Sequence, residues 1–444
     1  MRRERARFPT APLLLAVVGL LIVASAAEAQ ADAAALDGPE AFDGSFRLET
    51  GEVVTGGYMV EGGDLWVYID TENLRRGGVF ERDGLTARSL PILGAPAEIE
   101  FLPGPDGRIE RIMWREDGAS LAGERVYPHT SEPVRFTSAD GTELEGRLLL
   151  PRCEGPHPAV VTVHGSGPVN RYGGTFHTFF VKHGVAVLAY DKRGYTDDPS
   201  RWREPDFAEM SADAAAAVRF LAARPEVDAD RVGLWGSSQG GWTVPRAALD
   251  APETAYMILR AGAALGGAET VLHEVRQELR AEGIRGMTLD HAMDLRREIY
   301  RLAMDGEAIE AADRLVEPYL DEPWYRAAFG DGPASVVWSE TRWGWIQRNH
   351  GYASAPDVAR FDGPVLWFLG ELDENVPFVS THTALERAFA ESPGNDEELV
   401  VIEDSPHSFI IPSEPGPPRY AEGFFEKMAD WMAERGFTNE ACWR

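Results

Sequence analysis

The sequence predicts an α/β fold built on one mostly parallel sheet, with a small antiparallel β domain ahead of it. After residue 128, short and continuously apolar runs recur: "AVVTVHG", "VAVLAYD", "VGLWG", "AYMILRAG" and "PVLWFLG". Such β-branched runs are strands buried on both faces, as in a parallel sheet covered by helices. Helical stretches such as "FAEMSADAAAAVRFLAARP" lie between several of them, which gives the alternation of an α/β fold. From about Gly44 to Tyr127 the texture differs. "DLWVYIDT", "GVFERDG" and "AEIEFLPGPDG" alternate apolar and polar residues between frequent turn signals, a pattern of short antiparallel strands.

In chain order, the first segment stands apart from any core. "MRRERARF" is basic, "APLLLAVVGLLIVAS" is apolar, and "AAEAQA" offers a cleavage site after Ala29. Those are the three parts of a secretory signal peptide. The apolar run is shorter than the roughly 20 residues of a spanning helix. Residues 1–29 are therefore expected to be removed on export, to a periplasmic or extracellular destination, leaving no membrane span. Residues 30–128 form the accessory β domain, read as packing support or a binding surface. Residues 129–444 form the main domain, opening with the hairpin pattern "VRFTSADGTELEGRLLLP". Between about 266 and 352 the strand–helix alternation stops, and "VLHEVRQELRAEG" and "LDHAMDLRREIYRLAM" show helical spacing. This insertion is expected to be a helical cap over the strand ends. Its Trp324, Trp338, Trp343 and Trp345 either line a pocket or form the cap's own core.

The 444 residues, 44% hydrophobic, are ample for a large core. The formal charge is −29. The first 29 residues carry four Arg and two Glu, so the mature chain stands at about −31. Such a surface repels phosphates, which argues against nucleic acid and anionic lipid as partners. The two cysteines, Cys153 and Cys442, allow one disulfide in an oxidising compartment, but nothing in the sequence brings them together. No cysteine–histidine cluster has structural zinc spacing, and no metal or organic cofactor is implied.

The chemistry centres on "LWGSSQGG" at 234–241. Ser238 has Gly236 two residues before it and Gly240 two after, in a strand-to-helix context. A turn that projects a serine forward strains the backbone and crowds those flanking positions. Ser238 is thus the candidate nucleophile, and Ser237 shapes the turn. A serine needs a base and an orienting acid. "ELVVIEDSPHSF" supplies His407 in a loop after a late strand, and "PVLWFLGELDENVP" supplies Asp373 after the preceding strand. The order Ser, Asp, His matches one known arrangement of the triad. Glu371 and Asp404 are rival acids. The oxyanion donors are expected from the backbone N–H of Gln239 and from "HGSGP", where Ser166 is favoured and Gly165 is second. His164 is placed to brace that loop.

Together, "HGSGP", "LAYDKRG", "GLWGSSQGGWTVPRAA", "GELDENVP" and "SPHSF" resemble the α/β-hydrolase superfamily. Within it they are most similar to bacterial carboxylesterases with an HGSGP oxyanion motif and to their serine aminopeptidase-like relatives. The resemblance covers roughly residues 132–436. It implies the α/β-hydrolase fold, with Ser238 as nucleophile, Asp373 as acid, His407 as base, and oxyanion donors near Ser166 and Gln239. Two loops depart from the family pattern. "VNRYGG" replaces a charged "RD"-like segment, and "YTDD" follows "DKRG" where many members carry a second glycine and a serine. Both border the expected pocket, so the triad carries over and the substrate does not.

The expected function is an exported serine carboxylesterase acting through an acyl-enzyme on small esters, with an aromatic cap favouring uncharged groups. A peptidase acting at free N-termini would need carboxylates to grip an ammonium. Glu269, Glu274 and Glu278 read instead as a solvated helix face. A non-catalytic binding protein on a hydrolase scaffold is disfavoured because every triad position is filled.

Overall fold

The computed structural model describes residue 42 and residues 44–443, apart from 59–63, 70–76, 90–96, 106–108, 117, 127–128, 173–174, 195–200, 202, 395 and 414–415. The proposed signal segment at 1–29 lies outside the described residues.

The alternating region forms eight strands: β1 (Gly44–Leu48), β2 (Val53–Tyr58), β3 (Asp64–Ile69), β4 (Gly77–Asp83), β5 (Thr86–Ser89), β6 (Ala97–Pro103), β7 (Ile109–Glu116) and β8 (Ala119–Val126). They pair antiparallel in chain order, and β8 returns to β1, closing a barrel. Where burial is described, apolar residues of the alternating pattern face inward. Phe46, Leu48, Val54, Phe80, Ile99, Phe101, Ile112 and Trp114 make one buried core. Closure leaves no open strand edge.

The second sheet has eight strands: β9 (His129–Thr137), β10 (Glu143–Pro151), β11 (His157–Val163), β12 (Ala186–Tyr190), β13 (Val227–Ser237), β14 (Thr254–Arg260), β15 (Val365–Gly370) and β16 (Glu397–Ile402). Their spatial order is β16-β15-β14-β13-β11-β12-β10-β9. β9 and β10 form an antiparallel hairpin, β10 is antiparallel to β12, and every other pairing is parallel.

Flanking helices are α1 (Thr175–Lys182), α2 (Phe207–Ala222) and α3 (Gly240–Asp250). The segment between β14 and β15 holds α4 (Gly267–Ala281), α5 (Gly286–Met304), α6 (Ile309–Val316), α7 (Pro323–Phe329), α8 (Ala334–Asn349) and the short α9 (Ala355–Val358). Then follow α10 (Phe378–Glu391), a small hairpin of β17 (Ile410–Ser413) and β18 (Gly416–Tyr420), and α11 (Phe424–Glu434). No described helix is long and apolar enough to cross a membrane.

Alternation along the buried strands sorts side chains onto two faces. Ala159, Val161 and Val163 of β11 pack with Ala214, Val218 and Val244 of α2 and α3. Val160 packs on the opposite face with Phe180 of α1 and Trp431 of α11. The inserted helices bury a separate core that includes Leu289, Ile299, Tyr325, Trp338 and Trp343.

The sheet order places the site. From β11 the chain moves to β12 on one side and then crosses to β13 on the other, which creates a switch point at the carboxyl end of β11. The loops after β11 and β13 are neighbours because those strands pair, and the loops after β15 and β16 are neighbours for the same reason.

Cys153, just after β10, is disulfide-bonded to Cys442 near the C-terminus, with Cα atoms 5.1 Å apart across 289 residues of sequence. His157 lies beside the pair, its Nδ1 3.9 Å from Cys153 Sγ. The three side chains form a cluster that spacing along the chain did not disclose, with both sulfurs committed to each other.

Candidate active site

Ser238 follows β13 directly and has φ of 54°, the left-handed region that a non-glycine residue enters at a cost of about 1–3 kcal/mol. Three backbone bonds hold it there. Its N–H donates to Arg260 O at 3.0 Å, and its carbonyl accepts from Gly241 N at 2.9 Å and Ala263 N at 3.2 Å.

The glycine requirement differs in place from the sequence expectation. A Cβ on Gly236 would come 2.7 Å from Val244 Cγ2, so that position is crowded. A Cβ on Gly240 would meet only His164 O and Val163 O at 3.7 Å, an ordinary contact. The crowded position after the serine is Gly241, where a Cβ would lie 2.3 Å from Ala263 N and 2.4 Å from Ala263 O. Backbone cannot rotate out of the way as a side chain can. Gly241→Ala is thus expected to destabilise by about 1–3 kcal/mol or more, while Gly240→Ala stays within about 0.5 kcal/mol of wild type. Denaturant melts of the two variants check the contrast.

His407 sits in the loop after β16, between Asp404 at φ 51° and Phe409 at φ 59°. Its Nδ1 is 2.9 Å from both Oδ1 and Oδ2 of Asp373. Asp373 is buried, and its Oδ1 also accepts from the backbone N–H groups of Asn375 and Val376, each at 2.8 Å. The rival acids have other partners. Glu371 Oε2 accepts from Asp404 N at 3.1 Å, and neither Glu371 nor Asp404 bonds the imidazole. Glu374, missed in the sequence, accepts from His407 N at 3.1 Å, so the acid loop and the base loop are stitched by carboxylates on both sides of Asp373.

Arg260, the last residue of β14, ties the His407 loop to the Ser238 turn. Its guanidinium donates to His407 O at 3.2 Å, Ser408 O at 2.9 Å and Ser237 Oγ at 2.5 Å. A charged residue closing the apolar run "AYMILR" was its only signal in the sequence. Among the described residues no hydrogen bond joins Ser238 Oγ to His407. Such bonds are often long in unliganded sites and tighten with substrate.

Ser166, Ser238 and Gln239 line one cavity of about 290 Å³. Gly165 packs beside Ser238: a Cβ there would be 3.9 Å from Ser238 Cβ. Gly167 has φ of 100°, which glycine adopts without strain, so the loop turns back at once. His164 Nε2 lies 2.5 Å from Tyr190 O, and desolvation lowers its pKa to about 3. The neutral ring therefore donates Nε2–H to that carbonyl and fixes the base of the loop to the end of β12.

The rest of the cavity departs from expectation. Of the four tryptophans considered, only Trp345 lines it, while Trp338 and Trp343 are buried in the insertion core and Trp324 packs against that core. Charged residues are well represented: Arg203, Arg342, Glu274 and Glu278 share the wall with Val271, Val275 and Tyr300. Glu274 of α4 thus faces the cavity half-buried, Glu278 lines it while remaining exposed to solvent, and Glu269 is exposed. The apolar pocket read from the aromatic-rich stretch is corrected to a mixed one.

Burial, followed by the Glu278 charge, raises the Glu274 carboxyl to about 7, against opposing effects of His407 and Arg342. A carboxyl with a folded pKa above its unfolded value binds its proton more tightly in the folded state. The stability this gives is present at low pH and is lost as pH rises through about 7. Glu274→Gln keeps the acceptor for Asn375 Nδ2, which donates at 3.1 Å. It is expected to raise Tm by about 2 °C at pH 8.5 and to leave it unchanged at pH 5. Thermal scans at the two pH values check it.

The family model described as serine aminopeptidase, S33, matches residues 154–414 of the chain. Among curated proteins, thiohydrolase aneE of Aspergillus aculeatus is 36% identical over 121 residues, 27% of this chain and 37% of that protein. Esterase EstD of Thermotoga maritima is 32% identical over 153 residues, 32% of this chain and 36% of that protein. The chain thus spans about a third of the length of these relatives. Among solved structures, acetyl xylan esterase 1 from Thermoanaerobacterium aligns with a TM-score of 0.42 at 19% identity, covering 76% of this chain and 87% of that one. With more than half of its length matched, and with Ser238, Asp373 and His407 inside that match, the chain belongs to the serine aminopeptidase S33 family of the α/β-hydrolase superfamily.

Proposed function

We propose that the protein is an exported serine hydrolase that cleaves carboxylic esters through an acyl-enzyme on Ser238. The observation that carries the reading is the buried Asp373 holding His407 Nδ1 at 2.9 Å, in loops tied by Arg260 to the strained Ser238 turn. Ser238 Oγ attacks the ester carbonyl as His407 Nε2 takes its proton, and Asp373 keeps Nδ1 protonated and oriented. The backbone N–H groups of Ser166 and Gln239 hold the oxyanion. The intermediate collapses as Nε2–H protonates the leaving alkoxide. Water then repeats the sequence on the acyl-enzyme and releases the acid.

The helices after β14 act as a cap whose α4, α5 and α8 residues form the outer wall of the cavity. The barrel at 44–126 is an accessory domain. Export with cleavage after Ala29 is supported by the basic and apolar N-terminal runs and by the Cys153–Cys442 bond, which suits an oxidising compartment. A mature protein that retains residues ahead of Gln30 would refute the cleavage.

A second reading has one observation in its favour: Glu274 and Glu278 in the cavity wall provide carboxylates for a free ammonium, as an N-terminal peptidase requires. Purified mature protein is to be assayed on short-chain aryl esters, thioesters and aminoacyl anilides, with fluorophosphonate labelling of wild type and Ser238→Ala. The ester reading expects labelling that needs Ser238 and faster ester than anilide turnover at matched concentration. Faster anilide cleavage selects the peptidase reading, and an unlabelled wild type overturns both.

A further inference from the structure

We propose that Lys192 is the positioning residue of the oxyanion hole, one ammonium that sets both donor loops relative to each other. The inference rests on the serine-hydrolase reading above. Lys192 lies two residues beyond β12 in "AYDKRG" and is 1% exposed. A lysine is almost never this buried unless its ammonium is matched by acceptors. Its Nζ donates to Gly165 O at 2.9 Å, Gly167 O at 3.2 Å and Gln239 Oε1 at 2.7 Å. Those acceptors belong to the two segments that offer N–H groups to the cavity: the loop after β11 and the residue just after Ser238.

The peptide geometry gives the contact a direction. In a trans peptide the C=O and the following N–H point to opposite sides. Gly165 O shares its peptide unit with Ser166 N–H. Drawing that carbonyl onto Lys192 turns Ser166 N–H away from the lysine, while Ser166 itself borders the cavity beside Ser238. The bond to Gly167 O fixes the next turn of the loop, where Gly167 takes a φ of 100°. The bond to the Gln239 side chain holds the residue whose own N–H is the second donor. Lys192 is not among the residues that line the cavity, so it works from behind the loop.

The placement has a cost in solvation. Desolvation, and then the Arg203 charge, lower the Lys192 pKa to about 7. An amine so placed is held for its contacts. Donors fixed before the reaction stabilise charge that develops only in the transition state, and losing one donor lowers turnover by about 10²–10³.

Lys192→Met keeps the stem and removes the donors. With an aryl acetate, kcat is expected to fall about 100-fold while KM stays within about threefold. Affinity for a phenylboronic acid, which forms a tetrahedral adduct with Ser238, should fall in parallel with kcat. Slow but stoichiometric fluorophosphonate labelling then reports an intact nucleophile. A folded Lys192→Met with unchanged kcat, or with a lower kcat and undiminished boronate affinity, overturns the inference. If Lys192→Met does not fold, Gln239→Leu carries the test. It removes one of the acceptors named above and keeps the backbone donor, and kcat should drop about three- to tenfold at constant KM; full activity overturns the proposal. Failure of wild type to take label or cleave ester refutes the serine-hydrolase reading itself and is thereby distinct from an active wild type with an indifferent Lys192.

Discussion

Ser238→Ala and His407→Ala are each expected to lower kcat on an aryl ester by about 10⁵–10⁶, and the double variant by no more than either alone. The reason is that the two side chains perform one event. Without the imidazole the hydroxyl is a weak nucleophile at neutral pH, and without the hydroxyl the imidazole has no proton to take. What survives in each variant is the cavity with Ser166 and Gln239, which still binds the ester and faces its carbonyl. Steady-state assays, with care taken to exclude wild-type contamination, give the comparison. Losses that multiply in the double variant, or a His407→Ala enzyme within tenfold of wild type, would contradict the shared step.

Asp373→Asn is the second large effect, a fall in kcat of about 10⁴. Asp373 Oδ1 accepts from Asn375 N and Val376 N at 2.8 Å, and both carboxylate oxygens face His407 Nδ1 at 2.9 Å. Asparagine has one carbonyl oxygen, which the two backbone donors retain. Its amide N–H then points at Nδ1, where a second donor cannot sit opposite it. The imidazole must move its proton to Nε2, the tautomer that cannot accept from the serine hydroxyl. Glu371→Gln and Glu374→Gln make the controls. Their carboxylates accept from Asp404 N and His407 N at 3.1 Å, and an amide oxygen can replace either. Both are expected to stay within about tenfold of wild type. A loss as large at either position would move the orienting role away from Asp373, and ordinary turnover by Asp373→Asn would remove it altogether.

The parallel sheet was legible because strands buried on both faces show as unbroken apolar runs, and the carboxyl end of each run marks a place for chemistry. Ser238 stands directly after such a run, Asp373 lies in the loop after another, and His407 lies in the loop after the half-buried edge strand β16. The inserted helices were legible as a helical cap, but the polarity of the wall they present was not. Periodicity gives α4 a polar face, yet it does not say whether that face meets water or a cavity, and so Glu274 was misread, while Glu278 is exposed and also borders the cavity. Arg260 and Lys192 were hidden for a related reason. Each follows or closes a buried strand as a cation of no evident purpose, and its acceptors include backbone carbonyls and side chains more than twenty residues away. The Cys153–Cys442 bond spans 289 residues, a separation over which sequence carries no distance information.

β14 and β15 are hydrogen-bonded neighbours, from Met257–Val365 to Arg260–Phe368, so everything from α4 to α9 departs and rejoins between adjacent strands. That detour can grow, shrink or be exchanged without re-threading a single partner in the sheet. The segment that shapes what enters is therefore separable, in inheritance and in engineering, from the apparatus beneath it. A recombination confined to those codons would re-aim the molecule while leaving its bond-breaking parts in register.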